Sequence, residues 1–474
     1  MRQEIEKHAA DIWNNDRKFL LILSVFFLTQ LYIVKTVWNQ PPIWDASIYI
    51  GMGQRLFADG AFGIWEAFRP LMLPVILGTL WKIGVPMIGV PYLLSTVAVS
   101  TGLAAVYFLT KKTISRKIAL YTAGIVASTT LFYGYTHMIL TGIPASFLVF
   151  GAAYLAYQRD NLFAGGLNSL AFLTRFPSAI VGPGLAGYVF LRDVKDDFWK
   201  AFKNAFYYTL GFFAVATPFF LFNQHLYGNF LRPITAGASV PVQSNPETYF
   251  FGLYYLREAV LANPLLVLFP VGLGAVIYMK DWRYGSFAAA LFTLYGFFTV
   301  YQHKEPRFLL LFLPLMAVFA ARGLEIVEEE IVSRFDLTSE NFMRAFVVVV
   351  LILTSISFSI TYSQNQWTNE YRVEFLDEMD QLNGTVAGNY PVISIYGRFE
   401  YVALRPESIN ETYSRIKDEV DYYAFDSGAW YCTDAIPNCQ SNIDGVVNEI
   451  EEQNIKKVHI EGYNRNFTVY EVPR

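Results

Sequence analysis

Long apolar runs dominate residues 19 to 363 and restrict the chain to folds that are solvated by lipid. Eleven of these runs are predicted to be transmembrane helices. They lie at 19–37, 88–110, 118–136, 141–157, 162–174, 176–191, 205–222, 259–279, 284–301, 308–321 and 344–362. Charged residues make up only 16% of the 474 residues, against about 25% in an average soluble protein. We therefore predict an α-helical polytopic membrane protein.

The orientation follows from Lys and Arg in the short loops, which concentrate on the cytoplasmic side. "DRK" before the first run, "KKTISRK" (111–117), "LRDVKDDFWKAFK" (191–203) and "KDWR" (280–283) all fall on one side of an eleven-span threading. The run at 19–37 is interpreted as the first span, since no small-residue cleavage site follows it. An odd number of spans places the N-terminus in the cytoplasm and the C-terminal part outside, in a protein of the cell membrane.

The polar segment 364–474 is predicted to be a small extracytoplasmic α/β domain behind a membrane body at 1–363. Short strands are expected at 385–389, 391–397, 401–404, 420–425, 456–463 and 467–472, and a helix at 445–453. The sequons at Asn383, Asn410 and Asn466 all lie in this segment, as expected if it faces a glycosylating compartment. Its role is either to shape an acceptor groove or to act as a passive lid.

The two cysteines, Cys432 and Cys439, belong to this polar segment and have six residues between them. This spacing suits a small disulfide loop in an oxidising exterior. The alternative is two free thiols.

Residues 38–87 are predicted to form a large first external loop. Its apolar stretch 70–84 is short and contains Lys82, which favours an interfacial or re-entrant helix over a span. Asp45 follows the first span in this loop and is a candidate general base, with Tyr49 one helical turn later. The alternative role for Asp45 is that of an N-cap for an interfacial helix.

The segment "QHKEPRF" (302–308) lies on the outer face by this threading, where basic residues are disfavoured. Its cluster of His303, Lys304, Glu305 and Arg307 therefore indicates a receptor for an anion. The alternative is that the cations simply extend to lipid headgroups. Arg175, in the outer turn "AFLTRFPS" (171–178), is a second candidate for gripping a phosphate, or else an interfacial arginine at a helix end.

A base and a phosphate receptor at the outer membrane edge favour group transfer from a lipid phosphate. A soluble nucleotide-sugar donor is disfavoured because the cytoplasmic loops are short and contain no glycine-rich phosphate loop. Nucleic acid is excluded as a partner by the net charge of −4 and the lack of a basic patch with interleaved aromatics. His137 either lines the cavity or makes a hydrogen bond between helices.

The motifs quoted above resemble those of the GT-C superfamily of polytopic glycosyltransferases. Further similar segments are "RPLMLPVILGTLWKIGVP", "GGLNSLAFLTRFPSAI" and "FNQHLYGNFLRP", so the resemblance covers the membrane body end to end. "HKEPRF" is similar to the HKExRF motif of dolichyl-phosphate-mannose mannosyltransferases. "WDASIYIGMG" is closer to archaeal members related to protein O-mannosyltransferases.

The resemblance implies an inverting transfer of a sugar from a dolichyl or other polyprenyl phosphate. The similarity to the HKExRF motif favours mannose as that sugar. Asp45 would accept the acceptor hydroxyl's proton, and a cationic group would stabilise the leaving phosphate. That group comprises His303, Lys304 and Arg307, with Arg175 and Arg232 as further candidates and Glu305 as an orienting residue. The implied acceptors are, in falling order, a lipid-linked oligosaccharide, a glycolipid and a protein serine or threonine.

No cofactor is implied, and a divalent metal is disfavoured. Many relatives carry two adjacent acidic residues in the first loop, whereas Ala46 follows Asp45 here. The second carboxylate must come from Asp59 or Glu66, or be absent, and a single carboxylate is a poor divalent site.

Two other classes remain open. A transporter or flippase would show an internal repeat of hydropathy, which the large first loop and the terminal domain do not fit. An oligosaccharyltransferase would carry a WWDYG-type motif where this chain has only "GAWYC". The transferase hypothesis requires Asp45 and Arg307 to reach the same substrate.

Overall fold

The computed structural model describes residues 16–238, 252–301, 303–365, 370–430, 432, 436–461 and 465–473. The helices are α1 (Arg17–Val37), α2 (Trp44–Phe57), α3 (Met72–Lys82), α4 (Val90–Thr113), α5 (Arg116–Ala127), α6 (Thr130–Thr136), α7 (Gly142–Tyr157), α8 (Asn161–Thr174), α9 (Val181–Asp193), α10 (Phe198–Tyr227), α11 (Arg232–Ala238), α12 (Leu253–Ala262), α13 (Phe269–Met279), α14 (Gly285–Val300), α15 (Leu313–Phe335), α16 (Ser339–Asn365), α17 (Glu370–Glu378), α18 (Ile409–Ile416) and α19 (Cys439–Gln453). The strands are β1 (Asn383–Gly388), β2 (Arg398–Ala403), β3 (Tyr422–Asp426), β4 (Ile455–Glu461) and β5 (Asn466–Glu471).

The apolar runs form helices, which confirms the polytopic helical class. Among the described residues, α1, α4, α10 and α16 are each long and apolar enough to cross a membrane alone. Other runs are interrupted: 259–279 breaks into α12, a 3₁₀ turn at Pro264–Leu268 and α13. The break lies at Asn263, which is extended before Pro264 and accepts a hydrogen bond from the amide of Leu265. The number of crossing segments stays a prediction.

Two compact units can be distinguished by their internal contacts. Of the described residues, 16–36, 92–226 and 252–365 form the first, which we call the helical unit. Residues 37–91, 227–238 and 370–473 form the second, which we call the mixed unit. The predicted functional boundary between a membrane body and an extracytoplasmic domain stays a prediction.

Close helix contacts in the helical unit depend on paired glycines. A Cβ at Gly272 would overlap the carbonyl oxygen of Phe319, and one at Gly165 would overlap that of Tyr208. These positions bring α13 against α15 and α8 against α10. Small residues are the usual means of close packing between apolar helices, since no hydrophobic driving force acts between helices in lipid.

The mixed unit combines the predicted first loop with the C-terminal segment around one sheet. The strand order is β2-β1-β3-β5-β4, in which β1 pairs in parallel with β2 and β3, and β5 pairs antiparallel with β3 and β4. Ile48 and Met52 of α2 are fully buried in the same apolar cluster as Val386 and Phe399 of the sheet. The helix that begins beside Asp45 is therefore fixed by the core of the C-terminal segment.

The C-terminal segment contains the predicted disulfide but differs from the predicted strands at one position. Cys432 and Cys439 form a disulfide, which confirms the predicted loop. The strand expected at 391–397 is wrong, because Pro391–Ile395 is a 3₁₀ helix whose Val392 and Ile393 are fully buried. The apolar run suggested a strand, but Pro391 cannot donate to a sheet ladder and these side chains pack into the cluster with α2. The other five predicted strands and the helix are present.

Gly63 is expected to be a sensitive position of the mixed unit. It has φ +80°, and a Cβ there would also overlap the carbonyl oxygen of Gly51. Gly63→Ala should lower the unfolding free energy by about 2–4 kcal/mol, from backbone strain plus overpacking. Thermal unfolding in detergent measures this, with Gly60→Ala as the matched control: Gly60 has φ +84° with open space around it. Equal losses in the two variants would contradict the proposed overlap.

Candidate active site

The late charged motif lies in the connection between α14 and α15. Lys304 folds back on α14, and its ammonium donates to the carbonyl oxygens of Phe298 and Thr299 at 2.5 and 2.7 Å. A cation at a helix C-terminus interacts favourably with the exposed carbonyls and the helix dipole. Two of the three ammonium N–H groups are thereby used, and the ammonium also lies 5.7 Å from the centroid of the Tyr255 ring.

Glu305 connects the histidine and the arginine of this motif. Its Oε1 lies 2.5 Å from His303 Nε2, and its Oε2 accepts a hydrogen bond from Arg307 Nε. Burial raises the pKa of Glu305. The hydrogen bonds from His303 and Arg307 and the charge of Arg307 have a larger, opposite effect, so the pKa lies below its usual value. Glu305 is thus ionised at neutral pH and orients the Arg307 guanidinium.

Phe308 gathers three of these side chains around one ring. The guanidinium carbons of Arg175 and Arg307 lie 5.2 and 5.9 Å from its centroid, and the His303 ring lies 5.7 Å away. Arg175 follows α8 in an extended conformation and donates to Thr141 Oγ1 at 3.4 Å. Cations over an aromatic face are stabilised by its quadrupole. The sequence motif and the distant Arg175 are therefore brought together in the helical unit.

The charge of this group suits an anion. Among the residues that the structure describes in this group, three cations, Arg175, Lys304 and Arg307, accompany one carboxylate, Glu305. Part of this positive charge is accessible, since the side chain of Arg307 is 30% exposed. Guanidinium groups suit phosphate oxygens in particular because of their planar fork of donors.

Asp45 is located in the first turn of α2, in the mixed unit. The N-cap of this helix is Ile43, so the alternative role of Asp45 as the N-cap is wrong. A carboxylate in the first turn is stabilised by the helix dipole. Its Oδ1 accepts a 2.8 Å hydrogen bond from Arg69, and its side chain is 18% exposed.

Arg69 joins Asp45 to a second carboxylate, Glu66. Its Nε donates to Glu66 Oε2 at 2.8 Å, and its guanidinium stacks over the ring of Tyr49 at 5.4 Å. Burial lowers the pKa of Arg69, but Asp45, Tyr49 and Glu66 together raise it well above its usual value. The guanidinium is therefore a fixed positive charge between two carboxylates.

Glu66 is also bound from the C-terminal segment. Arg405, just after β2, donates to Glu66 Oε1, and the Glu66 side chain is only 3% exposed. Arg405 also stacks over the ring of Phe68 at 5.1 Å, and Arg69 stacks over the same ring at 5.3 Å. Two cations and two carboxylates thus form one connected chain in the order Asp45, Arg69, Glu66, Arg405, and Arg405 also lies 3.9 Å from Glu407.

The second acidic residue near Asp45 is Glu66 and not Asp59. Asp59 follows the C-terminal end of α2 in a left-handed turn, and α2 alone is about 20 Å long. Arg69 donates hydrogen bonds to an oxygen of Asp45 and to an oxygen of Glu66. A divalent ion would need carboxylate oxygens such as these as ligands. In the described part of the chain, no group of three His, Cys, Asp or Glu is arranged to hold a metal. We therefore derive no step through a metal.

The remaining candidates occupy different surroundings. Arg232 is exposed at the start of α11 in the mixed unit. The Tyr49 hydroxyl lies 3.5 Å from Arg69, which places it beside Asp45. His137 follows α6 in the helical unit and is half-buried. The functional role predicted for each of them stays a prediction.

Sequence reasoning did not identify Arg69, Arg405 or Phe308 as site residues. Arg69 carried a weak signal, since it stands three residues after Glu66 in an otherwise apolar segment. Arg405 carried none, since 339 residues separate it from Glu66. Phe308 belongs to the HKExRF-like motif, and its aromatic ring explains why a phenylalanine ends that motif.

The helical body, the first loop with its Asp45 and the late cationic motif are the features of a GT-C type glycosyltransferase. The model of the Alg9-like mannosyltransferase family matches residues 69–397, which is more than half of the chain. The chain belongs to this family and is a multi-pass membrane glycosyltransferase. No curated protein sequence matches it.

Two solved structures have a similar fold over nearly the whole chain. ArnT from Cupriavidus metallidurans, bound to undecaprenyl phosphate, has a TM-score of 0.65 at 11% identity, over 97% of this chain and 98% of that chain. The Archaeoglobus fulgidus oligosaccharyltransferase tethered to an acceptor peptide has a TM-score of 0.60 at 13% identity, over 98% of this chain and 75% of that chain. At these identities the likeness shows the fold alone.

Proposed function

We propose that the chain transfers a sugar from a polyprenyl phosphate to a hydroxyl of an extracytoplasmic glycan or glycolipid, and that mannose is the favoured sugar. The observation that carries this proposal is the gathering of Arg175, Arg307 and His303 around Phe308, with Lys304 beside them and one carboxylate among them. This is a receptor for a phosphate in a predicted lipid-spanning body. Structures with the same fold hold undecaprenyl phosphate and dolichol-phosphate, which makes such lipids the natural donors to test.

The reaction is a single displacement at the anomeric carbon. The acceptor oxygen forms a bond to the anomeric carbon while the bond between that carbon and the phosphate oxygen breaks. The electron pair of the broken bond passes to the phosphate. Asp45 takes the hydroxyl proton. Arg307, Arg175, Lys304 and His303 stabilise the charge that develops on the phosphate. One displacement inverts the anomeric configuration, so a β-linked donor gives an α-linked product.

The roles of the other residues follow from their contacts. Glu305 orients Arg307 and His303, and Glu66 with Arg69 holds Asp45 in place. The active site is proposed to face the cell exterior, where lipid-linked oligosaccharides, glycolipids and protein hydroxyl groups are the candidate acceptors, in that order.

The proposal is tested by incubating the purified protein with radiolabelled dolichyl-phosphate-mannose and a panel of these acceptors. We expect labelled product from the lipid donor and none from GDP-mannose, with an inverted linkage determined by NMR. Transfer from GDP-mannose alone would contradict the donor class. Movement of the labelled lipid across vesicle membranes with no transfer would favour a transporter instead.

A further inference from the structure

We propose that Arg405, in the C-terminal segment, is a positioning residue for Asp45 that acts through Glu66 and Arg69. This inference rests on the proposed function, since it concerns the base of that reaction. It assigns the C-terminal segment a part in the chemistry, beyond shaping a groove or covering the site.

The first step is that the first loop and the sheet share backbone hydrogen bonds. The amide of Gly63 donates to the carbonyl oxygen of Phe399 at 3.1 Å, and the amide of Tyr401 donates to that of Gly63 at 3.0 Å. This parallel bridge, between Gly63 and Glu400, places the loop along the outer edge of β2. The loop after Gly63 and strand β2 after Glu400 run in the same direction, so Glu66 lies alongside the end of β2.

The second step is the placement of Arg405 at that end. β2 finishes at Ala403, and Arg405 stands next to Pro406, whose ring restricts the residue before it to the extended region. Arg405 has φ −103° and ψ 140°, as expected. Its side chain is further held by stacking on Phe68. The guanidinium therefore meets Glu66 with little conformational freedom left to lose.

The third step is electrostatic. Glu66 is nearly buried between two guanidinium groups, an arrangement in which each charge compensates the desolvation of the others. Without Arg405, Asp45 and Glu66 would compete for the single guanidinium of Arg69. Arg69 would shift towards the buried Glu66, because an unpaired buried charge is the most costly state. Asp45 would then lose the 2.8 Å hydrogen bond from Arg69 that helps to orient it.

General-base catalysis depends on the carboxylate lying within hydrogen-bond reach of the attacking hydroxyl. We therefore expect Arg405→Ala to lower kcat about 10-fold, with the KM for the lipid donor changed by less than about 2-fold since the phosphate receptor is untouched. Arg405→Lys should recover part of the loss because it restores the charge but not the two-pronged geometry. Glu66→Gln in the Arg405→Ala background should recover most of the lost kcat, since it removes the buried charge that would draw Arg69 away from Asp45.

The matched control is Arg55→Ala. Arg55, on α2, forms a 2.7 Å ion pair with Glu400 on β2, so it joins the same two elements without contacting Asp45, Glu66 or Arg69. We expect this variant to retain the wild-type kcat. A similar loss in Arg55→Ala and Arg405→Ala would overturn the inference in favour of simple docking of the two segments.

Two other outcomes also overturn it. Full kcat in Arg405→Ala removes the positioning role, and a loss confined to the KM for the acceptor makes Arg405 an acceptor-binding residue. Either result leaves the proposed function intact as long as the wild-type chain transfers sugar. A wild-type chain that transfers no sugar from any lipid donor overturns the proposed function and this inference with it.

Discussion

Asp45→Asn is expected to slow sugar transfer by about 10²–10⁴-fold, the usual contribution of a general base. The amide keeps an oxygen that can accept the hydrogen bond from Arg69 but has no carboxylate to take the acceptor's proton. The rate constant for transfer under saturating dolichyl-phosphate-mannose is the measurement. Binding of the radiolabelled donor should be unchanged, because the phosphate receptor is intact.

Asp59→Asn is the matched control for that variant. Asp59 is an exposed carboxylate of the same loop with φ +50°, a backbone conformation that asparagine also accepts. We expect wild-type transfer from it. Full activity in Asp45→Asn would remove Asp45 as the base, and a loss of donor binding in that variant would assign it to substrate binding.

Arg307→Ala is expected to lower kcat/KM for the lipid donor by about 10²–10³-fold, the range measured when one preorganised donor to a developing anion is removed. The change also leaves Glu305 without its guanidinium partner and Phe308 without one of its two stacked arginines. Arg307→Lys should fall between the alanine variant and the wild type, since an ammonium keeps the charge without the fork.

Inhibition by free dolichyl phosphate separates the roles of Arg307 and Asp45. The inhibition constant should rise steeply in Arg307→Ala and stay near the wild-type value in Asp45→Asn. Arg257→Ala is the control, since this arginine is 56% exposed on α12 of the same unit. Equal inhibition of wild-type and Arg307→Ala protein would show that the phosphate binds elsewhere.

The helical class was predictable because lipid allows only segments that satisfy their own backbone hydrogen bonds, and such segments show up as long apolar runs. The late motif was predictable for a similar reason: four charged or polar side chains between two apolar runs are costly unless they bind something. The interruption at Asn263 and Pro264 was not predicted, because apolarity alone does not report the local conformation before a proline.

The strand expected at 391–397 shows the limit of pattern reading in the C-terminal segment. An apolar run of this length suits a strand or a buried turn equally well, and the choice is made by its packing against Ile48 and Met52 of α2. That contact joins residues more than 300 positions apart, and no local pattern records it. The disulfide was predictable, since a spacing of six residues already restricts how the two cysteines can meet.

The membrane class, the family motif and the types of side chain available for the chemistry could be predicted, because they depend on composition and local spacing. The pairing of those side chains could not be predicted, because it depends on the folded arrangement. The fold brought Arg175 to Phe308 and Arg405 to Glu66, and it connected Asp45 to Glu66 through Arg69. The physical reason is that charge pairing at short range depends on which elements pack together, and that packing is set by the burial of apolar faces far apart in the chain.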